Sequence, residues 1–143
     1  MNAVSEAVIR ECAAASLAGT ISFGDVVGRL MEVGVERYHA DYSRQENTFY
    51  LPDGDSLVVS MAHVFAGDTA AHAGRLPIAE TFRPEQVEAA VRRAQRGEVM
   101  YPEFVRLTTA AGCIGYFVQL TGRRVQYFGR TGDVHEEWFP GAK

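Results

Sequence analysis

Residues 19–42, GTISFGDVVGRLMEVGVERYHADY, and residues 97–120, GEVMYPEFVRLTTAAGCIGYFVQL, follow one pattern written twice. At a spacing of 78 residues Gly19 falls on Gly97, Val27 on Val105, Gly34 on Gly112 and Tyr38 on Tyr116. Further on, Gly54 falls on Gly132 and Asp55 on Asp133. Between these identities the exchanges keep their chemical character: Ile21 meets Val99, Phe23 meets Tyr101, Asp25 meets Glu103, Phe49 meets Tyr127 and Tyr50 meets Phe128. Self-similarity at a fixed spacing marks a repeated structural unit. The glycines fall where helices and turns should end in both copies.

Each copy reads as helix, helix, strand, strand, strand. In the first, a helix over about residues 3–17 stops at Gly19. Ser22 opens a second, with Asp25 three residues on in a capping-box arrangement. Phe23, Val26, Val27, Leu30 and Met31 give that helix its apolar stripe, and Gly34 ends it. Residues 35–42 and 47–51 form a hairpin, Pro52-Asp53-Gly54-Asp55 a turn, and residues 57–61 a third strand. The second copy has Pro84 in the first turn of a helix ending at Gly97, then a helix from Pro102 to Gly112. Strands follow at about 113–120, 124–130 and 134–139. Residues 62–80, rich in Ala and Gly, read as a joining loop with room for a short helix.

Two helices and three strands bury too little to stand alone. The copies, about 3–61 and 81–139, are therefore expected to share one core. The expected architecture over residues 1–143 is one α+β domain, an internally duplicated, pseudo-twofold arrangement with helices packed on antiparallel sheet.

Composition narrows the class. The 143 residues are 47% hydrophobic and 22% charged, which is globular rather than disordered. No apolar run approaches a membrane span, and Glu6, Arg10 and Glu11 in the first helix argue against a signal peptide. The net charge of −4 lacks the concentrated basic footprint of nucleic-acid binding. Arg92-Arg93-Arg96 reads as a solvated helix face and Arg123-Arg124 as a hairpin tip. Cys12 and Cys113 have no metal-ligand spacing and read as small buried hydrophobes in a reducing, cytoplasmic setting. No cofactor motif occurs: phosphate loop, dinucleotide fingerprint, GxSxG and HExxH are all absent.

Candidate chemistry comes from comparing equivalent strands. Tyr38, Ala40 and Tyr42, like Tyr116, Val118 and Leu120, mark a core face, because alternate side chains on a strand share one side. The opposite face carries Arg37, His39 and Asp41 in the first copy but Gly115, Phe117 and Gln119 in the second. His39 and Asp41 sit roughly 6–7 Å apart at Cβ, which suits a carboxylate orienting an imidazole. Arg37 suits an anionic group, and Arg44, Thr48 and Tyr50 on the hairpin extend the same surface. The competing reading is a solvated sheet face. A His39/His63/Asp41 metal set lacks any recognised spacing, and Asp53-Gly54-Asp55 reads as a turn rather than a calcium loop. Trp138 and Phe139 suit either a core plug or an exposed partner surface.

The run Gly34-Val35-Glu36-Arg37-Tyr38-His39-Ala40-Asp41-Tyr42, then Thr48-Phe49-Tyr50-Leu51-Pro52, resembles the YdfO/YbcV-like proteins, small bacterial and prophage-encoded proteins of unknown function. Gly112-Cys113-Ile114-Gly115-Tyr116 and Tyr127-Phe128-Gly129-Arg130 are similar to them too. The resemblance implies an α+β fold and a cytoplasmic, phage-derived origin, with no catalytic residue to carry over.

Three functions are in view. One is a binding protein, taking a small ligand or a partner protein on the Arg37/His39/Asp41 face or in the cleft between the copies, where pockets tend to form. The second is an enzyme with His39 as general base oriented by Asp41. The third is a phage structural or host-modulating factor acting through homo-oligomerisation.

Overall fold

A computed structural model describes residues 1–142. Its helices are α1 (Ala3–Leu17), α2 (Phe23–Glu32), α3 (Ala66–Thr69), α4 (Pro84–Gln95) and α5 (Tyr101–Ala110). Its strands are β1 (Arg37–Asp41), β2 (Glu46–Tyr50), β3 (Ser56–Ser60), β4 (Cys113–Gln119), β5 (Arg124–Gly129) and β6 (Val134–Trp138). The fold is α+β, and each half runs helix, helix, strand, strand, strand. α2 and α5 begin 78 residues apart, at Phe23 and Tyr101, as do β3 and β6, at Ser56 and Val134.

Local chemistry sets these ends. The Asn2 side chain accepts from the Ser5 amide at 2.8 Å to open α1, and Ser22 Oγ accepts from the Asp25 amide at 3.2 Å to open α2. α4 and α5 start instead with Pro84 and Pro102, whose missing N–H is not needed in a first turn. α5 stops at Gly112, with φ +83, where a Cβ would lie 2.2 Å from the Thr81 carbonyl oxygen. Only glycine satisfies both the left-handed turn and that approach.

The six strands form one antiparallel sheet in the order β3-β2-β1-β4-β5-β6. The halves meet where β1 pairs with β4, and the register sets His39 opposite Phe117, the residue 78 positions further along the chain. Asp41 faces Gly115, next to a register shift between Cys113 and Gly115. Gly115 has φ +150, and a Cβ there would come 2.3 Å from the Ala40 carbonyl oxygen of the neighbouring strand. The seam between the halves thus depends on a residue without a side chain.

The helices cover one face of the sheet. Tyr38, Ala40, Phe49, Tyr116, Val118, Val125 and Tyr127 point into a single core with Ile9, Cys12, Leu30, Val87 and Val105 from the helices. A buried Tyr42–Thr108 hydroxyl pair at 2.7 Å ties the residue that follows β1 to α5. Both cysteines are buried and unbridged, as their sequence context suggested.

The stretch 62–80 is more ordered than a loop. Single 3₁₀ turns at Ala62–Phe65 and Ala70–His72 flank α3. Buried Phe65 and Leu76 anchor it, and Gln45 Nε2 donates to the Gly74 carbonyl at 2.8 Å. Its burial is intermittent rather than periodic, so no amphipathic pattern betrayed it. Among the described residues, no helix is long and apolar enough to cross a membrane.

Candidate functional site

The residues singled out from the sequence lie on the helix-free face of the sheet. Arg37, His39 and Asp41 alternate outward on β1, Thr48 and Tyr50 on β2, and Arg44 sits in the turn between them. Arg37, His39, Asp41, Arg44 and Tyr50 are engaged locally. The Arg37 guanidinium pairs with Glu36 and lies 4.3 Å from the centroid of the Tyr50 ring. Arg44 Nε donates to Glu46 at 2.7 Å. The His39 ring stacks flat on Phe117, with centroids 4.3 Å apart and planes 6° from parallel. Burial holds its pKa below the ordinary imidazole value, and the Asp41 charge opposes that shift only in part. No hydrogen bond joins Asp41 to His39; Asp41 Oδ1 accepts from the Arg44 amide at 3.2 Å instead. His63, on an exposed turn, does not converge with them.

A cavity of about 380 Å³ lies on the opposite side of the sheet, between the strands and the helices. The sheet supplies its floor through Tyr38, Asn47, Phe49, Tyr116, Val125 and Tyr127, and α5 adds Tyr101 and Phe104. α1 contributes Cys12, Ala13 and Ser16, and α4 contributes Val91, Ala94 and Gln95. Many of these are counterparts across the halves, such as Tyr38 with Tyr116, Phe49 with Tyr127 and Ala13 with Val91. The cavity therefore occupies the cleft between the halves. Exposed lining residues, among them Phe23, Gly97, Met100 and Pro140, mark its rim. Across the rim the Phe23 and Phe139 rings meet edge to face at 5.8 Å.

The strand alternation explains the lining. A core-facing tyrosine brings a hydroxyl into an apolar interior, where it needs a polar neighbour. Burial raises the pKa of Tyr38, Tyr116 and Tyr127, and pushes that of Tyr101 up to about 12, so all four phenols are neutral at physiological pH. The Tyr101 hydroxyl lies beside the Asn47 amide and the Tyr116 hydroxyl. Burial also raises the Cys12 thiol, which keeps it a poor nucleophile.

Besides the tyrosine hydroxyls, Ser16, Ser22 and Gln95, two nearly buried polar side chains belong to the cavity wall. Asn47 is 7% exposed, and its Oδ1 has no hydrogen-bond partner among the described residues. Glu137, 9% exposed, is held from behind by Arg92, at 2.8 Å from Nη1 to Oε1, and by His135 Nε2 at 3.2 Å. Arg92, expected to be merely solvated, is thus the counter-ion of a buried carboxylate; its partner comes from a strand 45 residues away, beyond any helix-face reading. Glu88, His135 and Glu137 present ligand atoms within 4.8 Å of one another, but the Arg92 guanidinium already sits among these carboxylates.

The same comparison of halves that drew attention to the outer face finds these two groups on the inner one. Asn47 corresponds to Val125 and Glu137 to Val59. On the core face a polar residue where its twin is apolar is the signal of a lined cavity. On the outer face the same asymmetry marks ordinary solvent exposure just as well.

Residues 65–136 match the family model described as "Protein of unknown function (DUF1398)". No curated protein matches the chain.

Proposed function

Since the chain belongs to the DUF1398 family, which carries no assigned reaction, its activity has to be read from its own geometry, and we propose that it is a non-catalytic binding protein for a small, mostly apolar molecule held in the cavity between its halves. The observation that carries this reading is the cavity itself. About 380 Å³ bounded by aromatic rings, with a small number of polar groups on its wall, has the size and chemistry of a ligand pocket. A core closes such volumes when nothing needs them, because an unfilled void destabilises the fold. The neutral phenols and the protonated Cys12 thiol favour binding over catalysis.

An enzyme built on His39 has less support, since Asp41 does not hydrogen-bond the imidazole and the ring is stacked on Phe117. The proposal keeps the resemblance to YdfO/YbcV-like proteins, a prophage-derived origin and a cytoplasmic location. Phage genes flanking the coding sequence would support that origin, and a housekeeping operon would count against it. It also takes the halves as copies of one ancestral unit, supported by the recurrence of element starts every 78 residues.

The test is a thermal-shift screen of small uncharged aromatic compounds. A ligand bound only by the folded state at 100 times its Kd adds about 2.7 kcal/mol of stability. At least one compound should raise Tm in the wild type and lose its effect in Ala94→Phe, which fills the cavity from α4. A screen without any Tm rise, in a protein whose Tyr38 and Tyr116 ring signals never move, would sink the reading.

A further inference from the structure

We infer that β3 is a self-association edge: a second copy of this chain adds its own β3, antiparallel and centred on Val58, and joins the two sheets. This is independent of the cavity, which no β3 residue lines. The strand order leaves two open edges, β3 and β6. An open edge presents backbone donors and acceptors to any strand that fits, and proteins commonly guard it with charge, proline or a bulge. β3 reads Ser56-Leu57-Val58-Val59-Ser60, with no charge, no proline and an unbroken register against β2. Val58, at its centre, is 49% exposed.

Alternation decides which backbone groups face outward. The Leu51 amide donates to the Asp55 carbonyl and the Met61 amide to the Gln45 carbonyl, so Leu57 and Val59 between them bond β2. The backbone groups of Ser56, Val58 and Ser60 point to the free edge. The Ser56 amide also has Asp55 Oδ1 at 2.9 Å, which leaves Val58 as the centre of the open stretch. A twofold contact needs a strand that complements itself, because residue i meets residue j in both directions. Centred on Val58, Ser56 meets Ser60 of the second copy, Leu57 meets Val59, and Val58 meets Val58. The strand is nearly palindromic, so hydroxyl meets hydroxyl and apolar side chain meets apolar side chain. β6 is the contrast. Gly129 donates to the Asp133 carbonyl and Phe139 to the Arg123 carbonyl, which turns Val134, Glu136 and Trp138 to that edge. Self-pairing there would set Glu136 directly against Glu136, and like charges so placed destabilise a strand pair. One edge is thus guarded and the other open, and the product is a closed dimer rather than an extending sheet.

Sedimentation equilibrium on the full chain tests this. The wild type should show a monomer–dimer equilibrium. Val58→Lys, which brings two like charges together at the twofold and removes the valine contact, should weaken it at least about tenfold. Ser56→Lys with Ser60→Lys, both on exposed positions, should act the same way. Ser56→Lys with Ser60→Glu should keep the dimer, because position 56 meets position 60 of the other copy. Under mild oxidation Val58→Cys should cross-link, since the Cα atoms of a hydrogen-bonded pair lie about 5.5 Å apart, within disulfide reach. Ser60→Cys should not, because that position is far out of register with its own copy. The native Cys12 and Cys113 are buried and stay out of the reaction. A chain that remains monomeric up to about 1 mM would overturn self-pairing and leave the edge to a strand of another protein. A dimer indifferent to both lysine variants would overturn it too, as would a cross-link formed as readily at position 60 as at position 58.

Discussion

His39 is one half of an aromatic stack at the seam between the halves, its ring lying flat on Phe117. The folded state favours the neutral ring, whereas the unfolded chain takes up a proton near the ordinary value of 6.5. Below that value the unfolded state binds more protons, so stability falls as pH drops toward the folded-state pKa and then levels off. His39→Phe keeps the stack and removes the proton. The fall in urea midpoint between about pH 7.5 and pH 5 should therefore be shallower in that variant than in the wild type. An unchanged slope would assign the effect to other groups. Ionisable residues advertise themselves in a sequence, which is why the outer face stood out; Asn47 and Glu137 did not, because an amide or a carboxylate in an alternating strand is usually read as solvent-facing.

At the scale of elements, most bounds were legible. Helix starts follow from Asn2, Ser22, Pro84 and Pro102, and helix ends from glycines, all local signals that act through the backbone. The strap between α4 and β6 was not legible, since Arg92 and Glu137 are joined only by tertiary folding. Removing the guanidinium leaves a nearly buried carboxylate without its strongest partner. Arg92→Ala should therefore cost about 1–3 kcal/mol, less than a fully buried pair because Arg92 is partly exposed. Arg92→Ala on a Glu137→Gln background should cost clearly less. A double-mutant cycle on urea unfolding measures the difference, and additive effects would show that the two side chains do not couple.

For the whole molecule, the shared core has a consequence for cooperativity. Neither half can bury the faces that the other covers, so chains ending or starting near residue 82 should be unfolded alone. The full chain should show coincident transitions by near- and far-ultraviolet circular dichroism. A half with a sharp transition of its own would contradict a single core. The α+β architecture followed from periodicity and turn signals, whereas the cavity did not, because residues that line a void and residues that fill one obey the same pattern. The edge-to-face contact of Phe23 with Phe139 across the rim also sets a kinetic scale. Parting two such rings costs about 0.5–1.5 kcal/mol, so this contact by itself slows entry to the proposed binding cavity by no more than roughly tenfold. On the proposed binding reading, residence time is then set by a guest's affinity for the cavity wall and not by this rim contact.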